Sequence, residues 1–93
     1  MILEIVSPEA TLFKGEVTSV IVPGINGEFQ MLNNHAAIVS LLTKGNVKIT
    51  AQNINIDKEF ISQFNKVNEQ NYWLPISSGT IKMKENKVII LAD

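Results

Sequence analysis

Short runs of apolar or alternating residues, separated by turn residues, recur along the whole chain. Many of these runs are rich in Ile, Val or Thr, whose branched side chains fit a pleated strand better than a helix. The runs that we assign to strands are residues 2–6, 16–22, 28–32, 38–42, 47–50, 80–84 and 88–91, the last one largely buried. Turn signals at such short intervals are typical of an all-β sandwich or barrel.

The turn residues between these runs predict where the chain reverses. Pro23 and Gly24 match the two central positions of a type II turn, because Pro presets φ and Gly tolerates a positive φ. Asn26 and Gly27 follow at once and form a strong hairpin signal. The Asn pair 33–34 predicts a break, and residues 85–86 predict a tight turn in the last hairpin.

The middle of the chain departs from this pattern. Its apolar residues fall at helical spacing, at i, i+1, i+4 and i+7: Phe60, Ile61, Phe64 and Val67. This spacing predicts a short helix over 57–67, with Asp57 as its N-cap. An edge strand or an irregular loop is the alternative, since Asn and Gln are frequent on both sides.

Composition and charge exclude several classes of protein. A chain of 93 residues and 10.3 kDa allows one domain, which we assign to residues 1–93. The net charge is −1 and the lysines, which are the only Lys or Arg residues, are scattered along the chain, which argues against the clustered basic surface of a nucleic-acid-binding domain. Cys is absent, which excludes disulfides and thiolate sites. The N-terminus does not match a signal peptide, and the longest uncharged stretch, 29–43, is too short to span a bilayer. We therefore expect a soluble intracellular domain.

Candidate catalytic groups are few. His35 is the only histidine, and the nearest nucleophile along the chain, Ser40, has no distinctive surroundings. We therefore favour a structural or interface role for His35, and one His without Cys predicts no metal site. Tyr72 and Trp73 offer a stacking surface for a base or sugar, although an aromatic pair in a strand is more often packed in a sheet.

Several motifs together resemble one known family. Residues 13–36 read FKGEVTSVIVPGINGEFQMLNNHA. They resemble the pattern F-x-G-x-V-x-S-V, then P-G-x-x-G-E-F, then H-A, of the epsilon subunit of F-type ATP synthase, called delta in mitochondria. Residues 42–49, LTKGNVKI, are similar to its L-x-x-G-x-V-x-I strand pair. Residues 77–81 and 87–93 resemble its closing hairpin.

The resemblance implies a fold and a role. The fold is a flattened β-sandwich of about ten short strands. The role is that of a non-catalytic rotor subunit, without cofactor or metal, which links the gamma subunit to the c-ring and couples ion flow to ATP synthesis. The resemblance places the c-ring contact at Asn26, Gly27 and Glu28, and the gamma contact at His35 and Ala36. It also implies a peripheral membrane protein at the cytoplasmic face of the bacterial cell membrane, without direct lipid insertion.

The chain departs from the family pattern in three ways. Thr80 replaces an apolar or aromatic residue, and Ser78 replaces the first glycine of a pair. The segment 50–71 is longer than usual by about a dozen residues, an unusual length for a connection between strands. Most bacterial members continue beyond the position of Asp93 into a two-helix domain. We expect this hairpin to be absent, so its inhibitory function and ATP binding are not assigned here.

Two other functional hypotheses compete with the rotor subunit. The first is a stand-alone β-barrel that binds a small ligand or carbohydrate through Tyr72 and Trp73. The second is an enzyme that uses His35, which lacks a partner group in the sequence. The dispersed carboxylates are interpreted as solvated surface charge, because most of them lie near turns or on polar faces. Glu28 is the exception, since it follows the Asn26–Gly27 turn and can meet a partner at one end of the sandwich.

Overall fold

Ten short strands and one turn of 3-10 helix make up the computed structural model, which describes residues 1–93. The strands are β1 (Ile2–Val6), β2 (Thr11–Glu16), β3 (Ser19–Gly24), β4 (Gly27–Leu32), β5 (Ile38–Leu42), β6 (Gly45–Thr50), β7 (Asn65–Asn68), β8 (Asn71–Ile76), β9 (Gly79–Lys84) and β10 (Lys87–Ala92). The helical turn covers Ile61–Gln63. The predicted all-β class and the number of strands are confirmed.

The strands form one curled sheet whose two halves pack face to face. One half has the order β2-β1-β10-β9-β5, and the other has β4-β3-β6-β8-β7. The halves are joined where Gly24 of β3 pairs with Leu42 of β5. All neighbours run antiparallel except β1 and β10, which are parallel. This arrangement agrees with the predicted β-sandwich.

A single core of 21 buried hydrophobic residues fills the space between the halves. Alternation along each strand decides which residues enter it, since successive side chains point to opposite faces. In β10, Val88 and Ile90 are fully buried, whereas Leu91 is 52% exposed. The prediction of a largely buried strand over 88–91 is therefore correct only for the inward-facing residues, because the outer face of this half is open.

The predicted type II turn at Pro23 and Gly24 is wrong. Both residues continue β3, and the hairpin turns instead at Ile25 and Asn26, with the positive φ of +116° on Gly27. Pro is tolerated at this position because the pairing of β3 with β6 covers only residues 19–21, so no ladder hydrogen bond is lost. Gly24 is needed for space: a Cβ there would lie 2.7 Å from Cε1 of Phe29.

The helix predicted over 57–67 is reduced to the single 3-10 turn. The predicted N-cap at Asp57 is wrong, because the 3-10 turn begins after Phe60 and has no side-chain cap. Asp57 instead holds the turn at residues 58–60: its Oδ1 accepts the Glu59 N–H at 2.9 Å, and its carbonyl accepts the N–H groups of Phe60 and Ile61. The chain then becomes extended at Phe64 and pairs with β8 as β7. β7 lies at the edge of the sheet, as the alternative of an edge strand allowed, and only one of the four apolar residues is buried.

The middle segment, residues 50–71, covers part of the core. Phe64 is only 7% exposed, and the half-buried side chains of Ile54, Ile56 and Phe60 pack against the core cluster. The segment therefore adds apolar contacts to a small domain, for which each buried side chain is a sizeable part of the total stability.

We expect Phe64→Ala to lower the free energy of unfolding by about 3 kcal/mol, because it removes a buried aromatic side chain and leaves a cavity. Ile61→Ala, in the same segment but at a position 39% exposed, serves as the control and should cost less than about 1 kcal/mol. Urea unfolding followed by circular dichroism measures both. If both variants lose the same free energy of unfolding, burial of Phe64 does not contribute specifically to the stability of the core.

Candidate functional site

The two sets of predicted contact residues lie at opposite ends of β4. The 25–28 turn precedes and begins this strand, and the 33–37 loop follows it. A strand of six residues spans about 20 Å, so the two regions are well separated. A rigid strand thus joins two exposed regions that can contact two different partners.

The 25–28 turn is exposed at all four positions. The tight hairpin forms because Gly27 takes a positive φ, which ordinary residues adopt at a cost. Glu28 is the second residue of β4, and its side chain is 51% exposed. Its Oε2 lies 3.0 Å from Nζ of Lys48 on β6. The structure therefore presents Asn26, Gly27 and Glu28 together, with the carboxylate held from one side.

Lys48 also contacts an aromatic ring. Its Nζ lies 4.5 Å from the centroid of the Trp73 ring, within cation–π distance. Trp73 is paired directly with Lys48 across β6 and β8 on the outer face of the sandwich. Tyr72, the next residue to it along β8, packs against the core. The two aromatic residues therefore face opposite sides of the sheet and cannot form the shared stacking surface of the ligand-binding hypothesis.

The 33–37 loop presents His35 and Ala36 to solvent. Its backbone is held by a turn, in which the His35 N–H donates to the carbonyl of Leu32 at 3.1 Å. Asn34 takes a φ of 62°, in the left-handed region that Asn tolerates better than most residues. Its N–H donates to Oδ1 of Asn86 at 2.8 Å. The loop is thereby tied to the β9–β10 turn.

The N-terminal ammonium group holds the beginning of the same loop. It donates to Oδ1 of Asn33 at 2.5 Å, to Oε1 of Glu16 at 2.9 Å and to the carbonyl of Val17 at 3.2 Å. The side chain of Met1 is buried, so the three acceptors replace much of the water that the charge has lost. Charge-assisted hydrogen bonds therefore fix the loop from its first residue.

The sequence reasoning missed an exposed apolar strip that follows the outer face of the first half and extends to Ile25 in the 25–28 turn of the second half. Its members are more than half exposed: Ile25 at 57%, Val39 at 74%, Leu41 at 57% and Leu91 at 52%. Leu41 and Leu91 both pair with Thr80, from either side of β9. The signal was present in β5, where apolar residues occupy both alternating sets, and in the apolar residue of the 25–28 turn. Exposed apolar patches of this kind commonly mark binding surfaces.

The side chains of His35 and Ser40 contact only neighbouring backbone carbonyls. The ring Nδ1 of His35 lies 2.8 Å from the carbonyl oxygen of Ala36, and Oγ of Ser40 contacts only the carbonyl of Leu41. The two side chains do not meet, so no nucleophile–base pair is formed. No three His, Asp or Glu residues are grouped so that they could hold a metal ion. No helix in the structure has the length and hydrophobicity to span a bilayer.

One titratable group has a clearly shifted pKa, and it lies outside both regions. The hydrogen bond from Lys66 to Glu69, 2.8 Å long, raises the pKa of the Lys66 ammonium above its usual value. Both side chains are exposed at the β7–β8 turn. The Lys66–Glu69 ion pair is therefore more exposed than the Lys48–Glu28 ion pair and can serve as its control in mutagenesis.

Comparison with known proteins finds clear relatives. A family model for the beta-sandwich domain of the ATP synthase delta/epsilon chain matches residues 1–63. The chain is 40% identical over 91 residues to the ATP synthase epsilon chain of Campylobacter curvus, a match that covers 98% of this chain and 59% of that protein. It is 32% identical over 91 residues to the epsilon chain of Chlorobaculum tepidum, with 98% and 86% covered. The chain thus spans less than two thirds of the length of the Campylobacter relative.

A solved structure supports the fold. A chain in the cryo-EM structure of the central stalk and c-ring of the Tetrahymena thermophila mitochondrial ATP synthase superimposes with a TM-score of 0.71. The match covers 98% of this chain and 61% of that chain, at 12% sequence identity. At this identity the likeness concerns the fold alone.

Asn86→Gly is expected to loosen the 33–37 loop without unfolding the domain. Gly accommodates the φ of 61° at this position, so the substitution removes the Oδ1 acceptor without adding backbone strain. Hydrogen exchange should show faster exchange of the Asn34 amide, while global stability changes by less than about 1 kcal/mol. Unchanged exchange at Asn34 would mean that Asn86 does not hold the loop.

Proposed function

Because the chain belongs to the ATP synthase delta/epsilon β-sandwich family, we propose that it is a non-catalytic rotor subunit that links the gamma subunit to the c-ring. In this role it couples ion translocation to ATP synthesis, and it is held at the cytoplasmic face of the bacterial membrane through the complex. Residues 1–93 act as one β-sandwich domain. The observation that carries the proposal is the placement of two exposed contact regions at opposite ends of β4.

The proposed ring-facing region is the 25–28 turn. A hairpin turn at one end of a sandwich can reach the polar loops of a ring without moving the sandwich itself. Glu28 supplies a half-exposed carboxylate, which can accept hydrogen bonds from such loops. Charged groups at the rim of an interface contribute more to orientation and register than to raw affinity. The Glu28 carboxylate therefore suits a contact with the c-ring that must keep its orientation while the rotor turns.

The proposed gamma-facing region is the 33–37 loop together with the outer face of β5, the strand that runs from this loop to the Gly24–Leu42 pair beside the 25–28 turn. His35 and Ala36 are exposed, and they lead directly into the strand that presents Val39 and Leu41 to solvent. Burial of such apolar side chains supplies about 1.5–3 kcal/mol each, which is the kind of energy that a stable subunit contact requires. This extends the gamma contact beyond the two residues that the sequence motif indicated.

The non-catalytic assignment rests on the same two regions. Their side chains offer a carboxylate, an imidazole and apolar surface, but no nucleophile lies within reach of a base. Adhesion and transmission of torque need a firm core and two binding surfaces. The single buried core and the two exposed regions at the ends of β4 support this proposal.

The double variant Val39→Ser/Leu41→Ser is expected to weaken binding to the gamma subunit by at least about tenfold, because it removes exposed apolar surface that the contact would bury. The test is co-expression with the gamma subunit of the same organism, followed by affinity measurement on the purified proteins. Val67→Ser is the matched control, since Val67 is 53% exposed on the distant strand β7. Failure of the parent chain to bind gamma would refute the rotor-subunit proposal itself.

Glu28→Lys is expected to weaken attachment to the c-ring while the isolated domain stays folded. The change reverses the charge at the turn and loses an ion pair whose partners are both partly exposed, which costs about 1 kcal/mol or less. Pull-down with purified c-ring measures attachment, and thermal unfolding measures stability. Glu69→Lys reverses a charge at the β7–β8 turn and serves as the control. Melting several degrees below the parent would contradict the expectation.

A further inference from the structure

Lys48 connects the 25–28 turn to the outer face of the second half of the sandwich. Its Nζ lies 3.0 Å from Oε2 of Glu28 and 4.5 Å from the ring centroid of Trp73. The Lys48 side chain is 26% exposed, whereas that of Glu28 is 51% exposed. The cation is therefore the more buried partner, and it holds a carboxylate that remains open to solvent.

Sheet register explains how three residues far apart in sequence meet. Lys48 on β6 is paired with Ile21 on β3, and Glu28 on β4 is paired with Pro23, two residues further along β3. The Lys48 side chain therefore reaches diagonally across β3 to the carboxylate. On its other side, Lys48 is paired directly with Trp73 of β8. All three side chains lie on the outer face, because paired and alternate residues share a face.

From this geometry we propose that Lys48 and Trp73 are positioning residues that hold the Glu28 carboxylate ready for a hydrogen-bond donor on the c-ring. Lys48 binds Oε2, which leaves Oε1 to accept a bond from an amide or cationic group of a ring loop. The inference rests on the proposed function of the 25–28 turn. It adds two residues on other strands, outside the motif that pointed to the turn.

The arrangement reduces the cost of ordering Glu28. A free glutamate loses rotamer freedom when it binds a partner, and a long lysine side chain alone would offer little restraint because it is itself mobile. The indole ring restricts Lys48 on one side through the cation–π contact, and the restrained ammonium restricts Glu28. A contact group that is ordered before binding loses less freedom on binding, so the complex gains affinity.

The test is a double-mutant cycle on binding of the whole chain to purified c-ring. Glu28→Gln should weaken binding by about tenfold, and Lys48→Gln by about threefold, since Lys48 acts only through the carboxylate. The double variant should bind no more weakly than Glu28→Gln alone. Trp73→Leu should weaken binding by about twofold. Lys66→Gln breaks the exposed ion pair with Glu69 and should leave ring binding unchanged.

Two further variants separate positioning from a merely structural effect. Lys48→Arg keeps the cation and the stacking, so it should restore at least half of the affinity that Lys48→Gln loses. The swap Glu28→Lys/Lys48→Glu restores an ion pair between the same positions but puts a cation where the ring donor would bind. Thermal stability should therefore return to that of the parent, whereas ring binding should not.

The outcomes distinguish the inference from the function on which it rests. If Glu28→Gln binds the ring as the parent does, the proposed ring contact is wrong. If Glu28→Gln weakens binding but Lys48→Gln does not, or if the two losses simply add, Lys48 is not a positioning residue. If the charge swap restores ring binding, only the ion pair matters, and the proposed orientation of the carboxylate is refuted.

Discussion

Strand β3 is the element on which the rest of the structure depends, because it pairs with three other strands. It forms the hairpin with β4, continues into the second half through β6, and meets β5 at the single pair Gly24–Leu42 that joins the two halves. Its inward residues Val20 and Val22 are fully buried. Because β3 is paired along both edges and its inward side chains are buried in the core, it determines the positions of β4, β5 and β6.

Both proposed contact regions depend on this strand. The hairpin of β3 and β4 puts the 25–28 turn at one end and the 33–37 loop at the other. The loop is further held by the N-terminal ammonium group and by Asn86, so neither region is a free tail. A close-packed interior resists deformation, and a force applied at one end is therefore transmitted to the other. This rigidity is what the proposed link between gamma and the c-ring requires.

Local signals predicted much of the fold and a smaller part of the candidate site. Six of the seven strand runs and the tight turn at residues 85–86 followed from alternation and turn chemistry, which act over a few residues. The run 16–22 was wrong at its beginning, because Glu16 ends β2 and β3 begins only at Ser19. The predicted turn at Pro23 and Gly24 was wrong because this dipeptide can also continue an extended strand. Here it continues β3 beyond the residues that pair with β6, so the missing N–H of Pro23 is not needed. The helix over 57–67 was wrong because pairing with β8, invisible in the local pattern, competes with helical hydrogen bonds.

The sequence by itself determined the all-β class, the family motifs and the lack of thiol and arginine chemistry, since these depend on residue types and short spacings. Only the tertiary structure decided which faces stay open, and hence that Val39 and Leu41 are exposed although their pattern resembles a buried strand. It also decided that Lys48 meets both Glu28 and Trp73. The reason is physical: register across three strand pairings sets these contacts, and a shift by one residue would turn each side chain to the other face.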